Sequence, residues 1–236
     1  MEHYLTVEFL TALGQIVLID ILLGGDNAVV IALATRKLPQ RQRKLGILWG
    51  TVGAIGLRVV LIFFALTLLK LPFLKIVGAL LLFWIGIKLL APQDEEAHGD
   101  VQAEDKLWAA IKTVIIADFV MSLDNVIAIA GAAQNAGEQH SMLLVVFGLL
   151  LSVPIIVWGS QLVTRLMQRF PVAITLGGML LGWIAGGLIV TDPAVEHWTQ
   201  TLPLAQYVEK IAGLIGAALV WIVAKLIYRR PFVSAA

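Results

Sequence analysis

The chain contains no cysteine, which removes disulfides, thiolate metal centres and cysteine nucleophiles together. Charge is also scarce. Only 14% of the 236 residues are Asp, Glu, Lys or Arg, where an ordinary soluble domain carries about 25%. With a formal net charge of +1, no bulk polarity points to nucleic acid or to an acidic partner. No Gly-x4-Gly-Lys-Ser/Thr phosphate loop is present, which disfavours a chain that hydrolyses ATP by itself. The start, Met1-Glu2-His3-Tyr4, lacks the basic stretch of a cleavable secretory leader, so the first apolar segment is expected to stay.

What fills the chain instead is hydrocarbon: 59% hydrophobic residues and a mean hydropathy of +0.91. Apolar runs of the length that crosses a bilayer, about 20 residues, recur throughout. They predict seven spans, at about Glu8–Thr35, Leu45–Leu69, Leu71–Leu90, Leu107–Ala133, Met142–Val163, Val172–Val190 and Val208–Tyr228. The expected fold is therefore all-α, a multi-pass membrane protein. Basic residues orient it. With the N-terminus outside, thirteen of them fall on the cytoplasmic side, including Arg36, Lys37, Lys88, Lys106 and Arg165, and only Lys70, Lys75 and Lys210 on the other. The reading is N-out, C-in.

The sequence repeats itself. Ile16–Thr35 and Val114–Ala133 share six of twenty positions, including Asp20/Asp118, Asp26/Asp124 and Asn27/Asn125. Pro72, Gly78, Leu81, Leu82, Trp84 and Ile85 return as Pro171, Gly177, Leu180, Leu181, Trp183 and Ile184, at a constant offset of 99. Three spans per copy is an odd number, so the second copy enters the membrane from the opposite side. That predicts a 3+3 inverted-topology repeat, with a site at the midplane between the halves. The boundaries are 1–91 for the first repeat, 92–106 for an acidic cytoplasmic linker, 107–191 for the second repeat, and 192–236 for an outer loop and a seventh helix.

The repeated acids carry the chemistry. A carboxylate at membrane depth costs roughly 2.5–3.5 kcal/mol on insertion scales, so four in two matched sets mark a function. Residues six apart on an ideal helix differ by about 240°, so Asp20 and Asp26 share a site only if the site runs along the helix or the helix unwinds between them. Gly24-Gly25 is the natural place in the first copy; Ser122-Leu123 stands there in the second, where a milder break is expected. Aspartate, asparagine and freed carbonyl oxygens form a hard ligand set suited to Mg²⁺, Ca²⁺ or Mn²⁺. The metal candidates are Asp20, Asp26, Asn27, Asp118, Asp124 and Asn125, with Arg58 as a counter-charge or gate. The plain alternative makes these side chains polar glue between helices. Gly46, Gly50, Gly53 and Gly56 read as a close-packing face, Gly213 and Gly216 as a packing or dimer face. Met121, Met142, Met167 and Met179 read as core filler, and Trp108, Trp158 and Trp198 as interfacial.

The two motifs, Asp20-x5-Asp26-Asn27-x3-Ile31-Ala32 and Asp118-x5-Asp124-Asn125-x3-Ile129-Ala130, resemble those of the TerC family of integral membrane proteins. The compact form without a soluble appendage is similar to its YjbE branch. The resemblance implies a bacterial inner-membrane metal-ion transporter, chiefly a manganese exporter, akin to the LysE-type exporter superfamily. It implies Mn²⁺ as the ion carried, no prosthetic group, and the six Asp and Asn residues as the functional set.

The leading expectation is thus a non-enzymatic Mn²⁺ exporter working by alternating access with proton exchange. Its partners are the lipid bilayer, divalent cations and protons, with a homo-oligomer left open. Three alternatives stand beside it: Ca²⁺ or Mg²⁺ as the true cargo, a partner-dependent scaffold that loads metal, and an intramembrane aspartyl protease. The protease motif wants a glycine three residues before the acid, where this chain has Leu23.

Overall fold

The computed structural model describes residues 11–228 apart from 12, 19, 21–23, 69–70, 92–102, 135–140 and 203, and leaves the side chains at 65–67, 103, 124, 126–134 and 141–144 undescribed. Glu138 and His140, which follow the fourth expected span and read as ordinary solvated loop residues in preference to an outer vestibule, lie outside this set, as does most of the acidic linker. Among the described residues there is helix and no strand. A first helical stretch, α1, covers residues 13–18 and 20. It is followed by α2 (Gly25–Thr35), α3 (Gln40–Leu68), α4 (Leu74–Leu89), α5 (Ala103–Gln134), α6 (Ser141–Arg169), α7 (Val172–Val190), the short α8 (Glu196–Gln200) and α9 (Ala205–Tyr228). Four of these, α3, α6, α7 and α9, hold segments long and apolar enough to cross a membrane. Their outer faces carry Trp49, Phe63, Phe64, Phe147, Trp158 and Leu214, all exposed, as befits side chains solvated by lipid rather than water. Trp108 and Trp198 are exposed as well.

The helices fall into two groups. One, α2, α3, α5 and α6, packs chiefly through α3 on α5 and α2 on α6; the other, α4, α7 and α9, packs through α7 on α9 and α4 on α7. Glycines set the spacing. A Cβ on Gly50 would press on the Val114 side chain and one on Gly53 on that of Ile115, so the α3 backbone seats the side chains of α5. Gly56, expected on the same face, points into open space. Between α7 and α9 the approach is closer still. A Cβ on Gly182 would collide with the Gly216 carbonyl, and one on Gly186 with that of Ala212.

The matched helices run antiparallel. Along α4 and α7, Phe73 meets Asp192, Gly86 meets Gly178 and Leu181, and Leu90 meets Gly178. The repeated glycines make reciprocal contacts. Gly78 on α4 packs against Val120 of α5, and Gly177 on α7 packs against Val29 and Leu33 of α2, each the leading helix of the other copy. The linker ends earlier than its composition suggests, because Glu104 and Asp105 lie in the first turn of α5, where carboxylates complement the positive end of a helix.

Both ends of α4 are tied to other elements. At its C-terminus the Arg36 guanidinium donates to the carbonyls of Leu89 (2.9 Å) and Ala91 (3.1 Å). At its N-terminus Phe73 occupies the left-handed region (φ 68°) and offers no side-chain cap. The fully buried Asp192, just beyond α7, supplies one from across the fold. Its carboxylate accepts the N–H groups of Phe73 (2.9 Å), Lys75 (3.0 Å), Ile76 (3.3 Å) and its own neighbour Ala194 (2.8 Å). Burial alone would raise the Asp192 pKa, but these four donors hold it below the usual carboxylate value. A carboxyl depressed in the folded state contributes stability that is complete above its unfolded pKa, about 3.9, and is lost as pH falls through the folded value. Replacing Asp192 by Asn should therefore cost roughly 1.5–3 kcal/mol near pH 7 and flatten the acid limb of thermal stability below about pH 4. Melting curves of wild type and variant in detergent across pH 3–7 check both; identical acid limbs would remove Asp192 from this role.

Candidate functional site

At the centre of the first helix group, three charged side chains are buried together. Asp20 on α1 is 1% exposed, Arg58 on α3 is 2% exposed and Asp118 on α5 is 6% exposed. The Arg58 guanidinium lies between the two acids. One terminal nitrogen donates to Asp20 Oδ1, and the other to Asp118 Oδ1 at 2.5 Å. Its Nε donates to the Ser122 hydroxyl at 3.0 Å, and that hydroxyl donates in turn to Asp118 Oδ2 at 3.1 Å. The second oxygen of Asp20 accepts from Ser152 on α6. Every nitrogen of the guanidinium is thus engaged, as a buried cation requires.

Asp20 and Asp118 are the same position in the two copies of the repeat, 98 residues apart. The fold brings these matched acids to one point, on one cation. Arg58 has no such echo; the corresponding stretch of α6 reads Ile155-Ile156-Val157. The polar centre sits between two apolar clusters. Ile16, Ile55, Val145 and Leu149 close one side, and Ile31, Ile47, Val114 and Ile156 close the other.

The break between the first pair of acids is local. Gly24 is a bend and α2 starts at Gly25. A Cβ on Gly24 would collide with the Asp20 carbonyl, so glycine fits there where a larger residue does not. The second copy differs: α5 runs unbroken through Asp118, Ser122 and Asp124. Ser122, expected to mark a milder unwinding there, does not unwind the helix. Its hydroxyl is turned inward to serve Arg58 and Asp118, which satisfies it without disturbing the backbone.

Of the remaining candidates, Asp26 is half-buried and accepts the N–H of Asn27 at 2.9 Å. Asn27 is 4% exposed, and neither its amide nitrogen nor its amide oxygen has a hydrogen-bond partner among the described residues. It lines a cavity of about 10 Å³ together with Val30, Ile31, Val114 and Asp118. A buried amide with two orphan groups is rare in folded proteins and calls for a ligand or water. Asn125 is half-buried, and the side chain of Asp124 falls outside the described residues. Among the described residues no three acidic or imidazole side chains form a ready-made metal cluster; two carboxylates, an amide and two hydroxyls are what converge. Sequence reasoning did not find Ser152, because a lone serine in an apolar helix carries no signal until the fold places it on Asp20.

The sequence matches a family described as the integral membrane protein TerC family over residues 5–231. It is 41% identical over 232 residues to the uncharacterized membrane protein YjbE of Bacillus subtilis strain 168, covering 98% of this chain and 99% of that one. It is 29% identical over 181 residues to YceF of the same organism (73% and 68% of the two chains). To the inner membrane protein YgdQ of Escherichia coli K12 it is 24% identical over 176 residues (68% and 72%). No solved structure matches the chain.

Asn27 lends itself to a direct test. A buried amide without partners costs about 1–3 kcal/mol, so Asn27→Leu, near in volume, should melt at the wild-type temperature or above it in detergent free of divalent cations. A clear fall would show that the amide already has partners and is structural.

Proposed function

The chain belongs to the TerC family of integral membrane proteins, and on that footing we propose that it is a secondary transporter exporting divalent metal ions, Mn²⁺ foremost, through the Asp20–Asp118 centre. The observation that carries the reading is the convergence of matched acids from two copies of a repeat on one buried point, beside an amide with no partner among the described residues. Carboxylate, amide and hydroxyl oxygens are hard ligands that suit Mn²⁺, Mg²⁺ and Ca²⁺. The choice of Mn²⁺ among them follows what the family resemblance implies.

The seven-span, N-out architecture with an inverted repeat belongs to the same proposal. The antiparallel course of α4 against α7 and the reciprocal contacts of Gly78 and Gly177 support it. In that arrangement the site lies where the two copies of the repeat meet, and moving the helices of one copy against those of the other opens it to each side in turn. The two apolar clusters flanking the acids would then be the layers that part. Outward movement of a divalent ion against an inside-negative potential is uphill by roughly 4.6 kcal/mol per 100 mV. Exchange against protons supplies that energy without an ATP site. The guanidinium between Asp20 and Asp118 argues against a protease dyad, in which two carboxyls face each other and share a proton.

Mn²⁺ flux in proteoliposomes with an imposed pH gradient tests the proposal, with Asp118→Asn beside wild type and Mg²⁺ and Ca²⁺ as competitors. Proton-driven Mn²⁺ movement should fall at least tenfold in the variant while insertion is unchanged. Flux that persists in the variant would sink the site. Mn²⁺ binding without any wild-type flux would make the chain a metal-loading subunit instead.

A further inference from the structure

Resting on that reading of the site, we propose that Arg58 is a tethered stand-in for the transported ion: its guanidinium and a divalent cation take turns on the same Asp20 and Asp118 oxygens. Three observations lead there. Each acid already spends one oxygen on the guanidinium, and its other oxygen is bonded to a serine, Ser152 for Asp20 and Ser122 for Asp118. Every carboxylate oxygen at this point already accepts one hydrogen bond, so a metal would have to share each of them with a donor or displace it. The adjoining cavity, about 10 Å³, is scarcely the room one water needs, about 10–15 Å³, so a cation cannot lie beside an undisturbed Arg58 and share its acids. Finally, Arg58 stands outside the repeat: the acids are duplicated and their cation is not. A residue needed only to hold two symmetric halves together would sit anywhere between them. This one is placed where a central ion would be.

The consequence is mechanistic. A carrier must return after releasing its cargo, and two bare carboxylates buried in a low-dielectric interior oppose that step. A guanidinium stays charged at every physiological pH, so Arg58 offsets one of the two acid charges during the return, and a proton taken up for the way back offsets the other. The same device lowers affinity for the ion, because binding must first displace the tethered competitor.

The test uses Arg58→Gln and Arg58→Lys in the full chain, with Mn²⁺ alone as probe. Calorimetry in detergent reads affinity. In proteoliposomes, radiolabelled Mn²⁺ exchange with equal Mn²⁺ on both sides reads transit of the loaded carrier, and net flux into Mn²⁺-free medium reads its return. Arg58→Gln should bind Mn²⁺ at least tenfold more tightly and keep exchange, while net flux falls at least tenfold. Arg58→Lys, a point charge that cannot fork between two carboxylates, should bind about threefold more tightly and keep part of the net flux. If the Gln variant does not fold, the Lys variant carries the test by its affinity alone. Unchanged or weaker Mn²⁺ affinity in the Lys variant, or joint loss of binding and exchange in a folded Gln variant, overturns the stand-in role and leaves the transport site standing. A wild-type protein that neither binds nor moves Mn²⁺ overturns the transport reading itself, whatever the variants do.

Discussion

The structure turns on one buried ionic junction, in which the Arg58 guanidinium joins Asp20 to Asp118. An ion taken from water into a protein interior costs several kcal/mol even after relaxation, and attraction offsets this only where geometry is good and leftover groups are bonded. Both conditions hold here. Ser122 and Ser152 take the remaining oxygens, and Nε is not left over. The junction also dictates packing. Arg58 reaches Asp118 because Gly50 and Gly53 let α3 settle onto Val114 and Ile115 of α5. Bulk at either glycine would push the guanidinium away from its acid, so residues with no polar atom beyond the backbone are part of how the charges meet.

The other helix group has a different character. α4, α7 and α9 contain no buried ion pair among their described residues. They are joined by backbone contact at Gly182, Gly186 and Gly216 and by the ties at both ends of α4. Those ties follow the helix dipole: a carboxylate at the positive end and a guanidinium at the negative one. Such packing resists sliding, since each glycine seats a backbone ridge and leaves no slack for a side chain to take up. The first group adds to its packing the charged contacts around Arg58.

Much of this was legible in the sequence, for physical reasons that differ by element. Helix positions followed from run length, because a bilayer demands about 20 apolar residues whatever they pack against; Val172–Val190 is both the expected span and the observed α7. The acids stood out because a carboxylate in such a run is costly, and their pairing stood out because Asp and Asn do not match by chance as Leu and Ile do. The break at Gly24 was visible in the glycine pair, but the unbroken α5 was not, since nothing in Ser122-Leu123 says which way a hydroxyl will turn. Arg58 was recognised as a lone buried charge, while its two partners were not assignable: Asp20 lies 38 residues away and Asp118 60, and no periodicity links them. Ser152 and Asp192 act across longer gaps still, 132 residues to Asp20 and 119 to Phe73. Long-range polar contacts are what composition and spacing cannot show.

The halves are alike in their acids and unlike in almost everything around them, and that asymmetry bears on direction. An inverted repeat with identical halves would have inward-open and outward-open forms of equal energy, because each is the other turned over. Three features remove that equality here. Only the first copy breaks its leading helix, at Gly24; only its second helix carries the guanidinium; and α9 packs far more extensively on the second copy's α7 than on α4. Each difference stabilises one arrangement of the halves over the other by whatever it contributes in that arrangement alone. In the alternating access proposed above, the chain thus keeps the part of the symmetry that puts two acids on one point, and departs from it in the surroundings that would decide which side the point faces.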